Sequence, residues 1–164
     1  MINFRQRAAR KTYLVFLPVV LLFCCVCPLC GPPYVTERPS ESDIVGVYAL
    51  TDQTLTEERL DILQGNVCEI ELRPDGTFAA TNFPEWEEVG ILRYELDRLV
   101  SLEGEWNLQI VGSVGYNWGV ESIWGVDFAG AIDSAELVGF GPPYSIHFVF
   151  DPDGIDAMIF TKVM

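Results

Sequence analysis

The chain is poor in the groups that do most protein chemistry. It has one histidine, His147, and from Gly31 onward one cysteine, Cys68. A centre built from several histidines is therefore impossible, and no disulfide can form within the part of the chain that follows residue 30. Basic residues are scarce as well. Arg5, Arg7, Arg10 and Lys11 take four of the ten, leaving six from Gly31 onward against 24 acidic residues, a net charge of −18 for that stretch. A surface so acidic repels a phosphate backbone and has no basic patch with interleaved aromatics to hold one, so nucleic acid is excluded as a partner. Catalytic constellations are also wanting. A nucleophile–histidine–carboxylate triad has no marked partner for His147, and the glycines of "VGSVGYNWG" (111–119) do not precede a helix that could cradle phosphate. No enzyme activity and no cofactor are expected.

What the chain does have begins at its N-terminus. "RQRAARK" precedes Thr12 to Cys30, nineteen residues without a charge. Basic residues followed by an apolar run are the order of a secretory signal or of an N-terminal membrane anchor. Tyr13 to Phe23 has the length of a signal core, whereas all nineteen residues would just span a bilayer as a helix despite Pro18. Either way the positive-inside rule keeps the arginines in the cytoplasm and sends the acidic remainder to the extracytoplasmic side. The cysteines that close the run resemble a bacterial lipoprotein signal, in which an acylated cysteine follows a short apolar box. That family places a small residue before the modified cysteine. Here Phe23, Cys24 and Leu29 precede the candidates Cys24, Cys25 and Cys30. Residues 1–30 are thus a signal peptide or anchor, residues 31–42 ("GPPYVTERPSES") a Pro-rich tether, and residues 43–164 one domain.

Within that domain the pattern is β. "NVCEIELR" alternates Cys68, Ile70 and Leu72 with Glu69 and Glu71, and "LEGEWNLQIV" alternates through Leu102, Trp106, Leu108 and Ile110. With "IVGVYAL", "TFAAT", "ESIWGVDFA", "SAELVGFG", "YSIHFVF" and "DAMIFTKV" there are about eight short strands separated by Gly, Pro, Asp and Asn, which predicts an antiparallel up-and-down barrel or sandwich. Two segments read as helix: "TLTEERLDILQG" (54–65), with Thr54 as N-cap and Gly65 as its stop, and "ILRYELDRLV" (91–100), where a strand also fits. "PEWEE" (84–88) reads as a solvated loop.

"RPDGTF" (73–78) and "DPDGID" (151–156) share one x-Pro-Asp-Gly-x signal. Proline presets the first turn position, aspartate caps its own backbone, and glycine supplies a positive φ. The second copy does not fit a calcium loop, because Pro152 and Ile155 occupy its neighbouring slots and Lys162 stands where a bidentate Glu is needed. Three residues remain as ligand contacts: Tyr116 and Trp118 at the tip of a wide loop over 112–119, and His147. Tyr144, Ile146, Phe148 and Phe150 share the face opposite His147, which therefore points to solvent or into a barrel lumen.

Gly46-Val47-Tyr48 on the first strand, the meander of about eight strands and the final apolar strand together resemble lipocalin-type small β-barrels, in particular the lipocalin-like domains of bacterial exported proteins. The resemblance covers Ile44 to Val163. Lipocalins usually carry tryptophan where Tyr48 stands, and an arginine on the last strand where Lys162 is a loose counterpart. What the resemblance implies is binding of a small hydrophobic molecule, or a scaffold role in an envelope, without catalysis. Two other readings stand beside it: a structural or protein-interaction module, and a hydrolase built on Glu103 and Glu105, whose shared face with water argues against the raised pKa an acid catalyst needs.

Overall fold

The computed structural model describes residues 33–53, 63–88, 94–116, 119–149 and 157–163. The N-terminal apolar segment with Cys24, Cys25 and Cys30, most of the 54–65 helix, Trp118 and the DPDGID turn lie outside them. After one helical turn, α1 (Glu41–Ile44), come nine strands: β1 (Gly46–Gln53), β2 (Glu69–Leu72), β3 (Thr77–Glu88), β4 (Tyr94–Glu105), β5 (Asn107–Tyr116), β6 (Gly119–Asp127), β7 (Ala135–Val138), β8 (Ser145–Val149) and β9 (Ala157–Lys162). They form one antiparallel sheet in the order β4-β3-β2-β1-β9-β8-β7-β6-β5. Among the described residues no helix is long and apolar enough to cross a membrane.

The alternating faces set this arrangement. Cys68, Ile70 and Leu72 turn inward while Glu69 and Glu71 turn out, and on β8 Ile146 and Phe148 are buried while His147 is on the outer face. The inner face closes on a phenylalanine cluster. Phe78 meets Phe128 edge-on at 5.0 Å, and Phe83, Phe148 and Phe160 lie within 5.2 to 6.0 Å of one another. Phe128 stacks on Phe148 at 5.8 Å, so five rings from β3, β8, β9 and the end of β6 occupy the centre. Edge-to-face contacts of this kind add about 0.5–1.5 kcal/mol each beyond the area they bury. Gly104 on β4 makes room for one of them: a Cβ there would stand 2.9 Å from Cε1 of Phe78.

The strand order holds a topological point. Directions alternate along an antiparallel sheet, so the first and last of nine strands, β4 and β5, run the same way. Only Trp106 separates them in the chain. They are consecutive lengths of one bent stretch, bonded to β3 through its first half and to β6 through its second. The sheet therefore curls until its two edges lie end to end, yet β4 and β5 do not pair and the ladder is not closed. Trp106 fixes the bend. Its backbone N–H donates to Gly76 O at 2.8 Å and its indole N–H to Arg73 O at 3.0 Å.

That RPDG turn forms as its residues require. Gly76 takes φ +84°, and Oδ1 of Asp75 accepts the backbone N–H of Thr77 at 3.0 Å and its hydroxyl at 2.7 Å. Several other expectations differ from what the chain does. The described residues hold nine strands where about eight are expected. The helix read over 91–100 is strand from Tyr94 onward, the PEWEE loop is the far half of β3, and of the wide loop read over 112–119 residues 112–116 continue β5 while Gly119, opposite Tyr116, opens β6. Ile44 belongs to α1 instead of opening the first strand. The tether does not hang clear of the domain: Val35 N–H donates to Leu137 O, Trp124 N–H to Val35 O and Gly139 N–H to Pro33 O, so residues 33–35 wedge between β6 and β7 upstream of Asp43.

Candidate functional site

The bent strand leaves a flank of β4 without a neighbouring strand, and the β6–β7 connection fills it. Phe128 anchors this connection in the core. Ala129 and Gly130 then take φ +50° and +79°, and Ala131 N–H returns to Phe128 O at 3.0 Å. Two such residues in succession reverse the chain tightly; alanine there bears a cost that glycine does not. At the far end Asp127 holds the loop shut, accepting Ser134 Oγ at 2.9 Å and Asn107 Nδ2 at 3.0 Å. Ile132 packs back against the core.

Between this loop and the sheet lies a cleft of about 210 Å³. Phe83 and Phe148 form its floor, Val100 and Leu102 of β4 one wall, and Ala131 and Ile132 the other. Glu85 and Asp133 stand at the rim. Glu85 is not free to reach inward, since it accepts the Arg98 guanidinium at 2.5 Å across the β3–β4 ladder. The cleft's lining thus joins apolar side chains to two carboxylates, and both polar and apolar surface are open in it. It lies under the roughly 300–1,000 Å³ of a drug-sized pocket and suits one ring or the end of an alkyl chain.

The sequence-derived contacts are not assembled here. His147 is on the outer face of β8, with its backbone neighbour Phe148 on the cleft side. Its Nδ1 lies 3.4 Å from Oε2 of Glu136 on β7, and both atoms are shut off from solvent with no hydrogen-bonding partner among the described residues. His147 therefore faces neither a lumen nor Tyr116, whose place is the far end of β5. Glu103 and Glu105 are both exposed on β4, facing water as their alternation implied. Among the described residues no three histidine, cysteine, aspartate or glutamate side chains gather as metal ligands would.

The cleft residues Phe83, Val100, Leu102 and Ile132 were not singled out by sequence. Each reads as ordinary core, and only the bend at Trp106 turns four of them into a lining. A second concavity of about 380 Å³ lies between the end of β1 and the 63–68 turn, beside buried Cys68, whose thiol pKa is raised by burial. No family model, no curated protein and no solved structure matches this chain.

Proposed function

We propose that this domain is a non-catalytic binding module, carried on the extracytoplasmic side of a membrane by its N-terminal segment, that takes a small apolar group in the cleft beside β4. The observation that carries this reading is the cleft itself: two rings, aliphatic side chains and two carboxylates on the flank of β4 that has no neighbouring strand among the described residues. The finer architecture belongs to the same reading. With β4 and β5 taken as one strand, the order becomes a ring of eight, as in a small up-and-down barrel. The lipocalin-type likeness finds support at one spot. Lys162 is paired with Tyr48, its stem covers Gly46 where a Cβ would strike it, and its Nζ donates to Asp43 O at 3.0 Å. On this reading a last-strand cation would close one end of the barrel beside the first-strand Gly-x-aromatic. An acidic rim also favours neutral or cationic ligands over fatty-acid-like anions.

The test is titration of the full chain with a neutral one-ring probe, fluorobenzene, read by fluorine NMR, beside the Ala131→Phe variant. Wild type should show a saturable component of one site that the variant lacks, with thermal stability kept in both. Identical titration curves would remove the cleft from consideration. That outcome would favour the second reading, a protein-interaction module, which the five rings filling the interior already support.

A further inference from the structure

The β5–β6 hairpin outgrows the sheet that bears it. β6 pairs with β7 only at Gly125 and Val126, whereas its ladder with β5 continues through Ser113↔Ser122, Val114↔Glu121, Gly115↔Val120 and Tyr116↔Gly119. Beyond Ile123 the two strands therefore form a ribbon, with Gly119 to Ser122 all exposed and Val120 at 74%. A two-stranded ribbon in water is marginal on its own. The edge that β5 presents is bare among the described residues, and natural edges of that kind are usually blunted by lysine, proline or an inward charge.

β5 carries none of these. "NLQIVGSVGY" has no charged residue and no proline, in a stretch of chain whose net charge is −18. The strand at the other end of the order, β4, contains Glu95, Asp97, Arg98, Glu103 and Glu105. Two copies of so acidic a domain repel across almost any pair of surfaces, and the β5 edge is where they would meet without opposing carboxylates. Glu121 is set back on β6, about 5 Å behind that edge. The bulge between Ile110 and Gly112 bends the edge, so the straight length available for pairing is Gly112 to Tyr116.

We infer that the protein self-associates through β5, two copies pairing Gly112–Tyr116 antiparallel about a two-fold axis to make a four-stranded ribbon β6-β5-β5-β6. An isologous contact of one uncharged strand with itself meets the symmetry requirement directly. This inference is independent of the cleft, and either can fail alone.

The test uses the full chain in detergent micelles, with sedimentation equilibrium for mass and amide hydrogen exchange for the location of the contact. A reversible monomer–dimer equilibrium is expected, with those amides of residues 112–116 that point away from β6 exchanging roughly tenfold more slowly at dimer-saturating concentration. Because the contact lacks charge while the rest repels, raising salt should tighten it. Ser113→Lys with Gly115→Lys should give a monomer of unchanged melting temperature, and Val47→Lys on the outer face of β1 should leave the dimer intact. A chain that stays monomeric, a dimer that survives the double lysine variant, or a dimer with no added protection at 112–116 would each overturn the inference. The last result would place the contact elsewhere, for example in the N-terminal apolar segment.

Discussion

Tyr48 shows how much one side chain settles here. It is fully buried, and its hydroxyl donates to Ile44 O at 2.5 Å, tying β1 back to the turn that launches it. Burial pushes its phenol pKa far up, so the folded state favours the neutral form. The stability linked to this group is complete below the phenol's ordinary pKa of about 10 and is lost as pH rises beyond it toward the folded value. Cys68 acts in the same direction, its thiol pushed up by burial. Tyr48→Phe should lower stability at neutral pH by about 1–2 kcal/mol, because Ile44 O loses its donor. Denaturant titrations across the alkaline range should show the variant falling less steeply above pH ~10 than wild type. Little of this was legible beforehand. The Gly-x-aromatic pattern marked Tyr48, but the acceptor four residues back depends on α1, and a strand was expected from Ile44.

Among elements, the β2–β3 hairpin is the one whose chemistry could be read in full from its letters. Gly76 is held at a φ that other residues adopt at a cost, and a Cβ there has open room, with its nearest neighbour Trp106 O at 3.9 Å. Gly76→Ala should therefore cost about 1–2 kcal/mol from the backbone alone, measurable as a lower urea midpoint with unchanged slope. β4 was harder. Ile91, Leu92, Leu96 and Leu99 satisfy a helical stripe nearly as well as a strand, and the decision falls to β3, which pairs with Tyr94–Glu105 along the whole length. β5 was missed as a strand over 112–116 for a different reason. Its glycines look like loop residues, yet Gly112 lies against Ile123, and Gly115 has open space on the exposed ribbon. Nothing local distinguishes a glycine that permits a turn from one that permits a close approach. The candidate cleft shares this difficulty, since its lining depends on four separate elements meeting around a bend.

For the whole molecule, charge is the term that composition determines. A net −18 from Gly31 onward means that the folded domain works against its own repulsion, which salt relieves. The melting temperature should rise by several degrees between low and physiological ionic strength in calorimetry, and a fall would show that attractive pairs such as Arg98–Glu85 outweigh the repulsion. The curled sheet itself was only partly visible: short strands and their antiparallel sense follow from spacing, while the break of the 102–111 run into β4 and β5 at Trp106, and their end-to-end meeting, follow from the turn that holds it. The wedge of residues 33–35 has a mechanical meaning as well. Any pull arriving from the N-terminal side meets the bonds of Pro33 and Val35 before it reaches a strand of the sheet. They form a latch with β6 and β7 as its two jaws. Tension would slip that latch first, releasing a short length of chain and uncovering Val35 while the nine-stranded ladder still stood, so the domain has a yielding joint at the place where its load would enter.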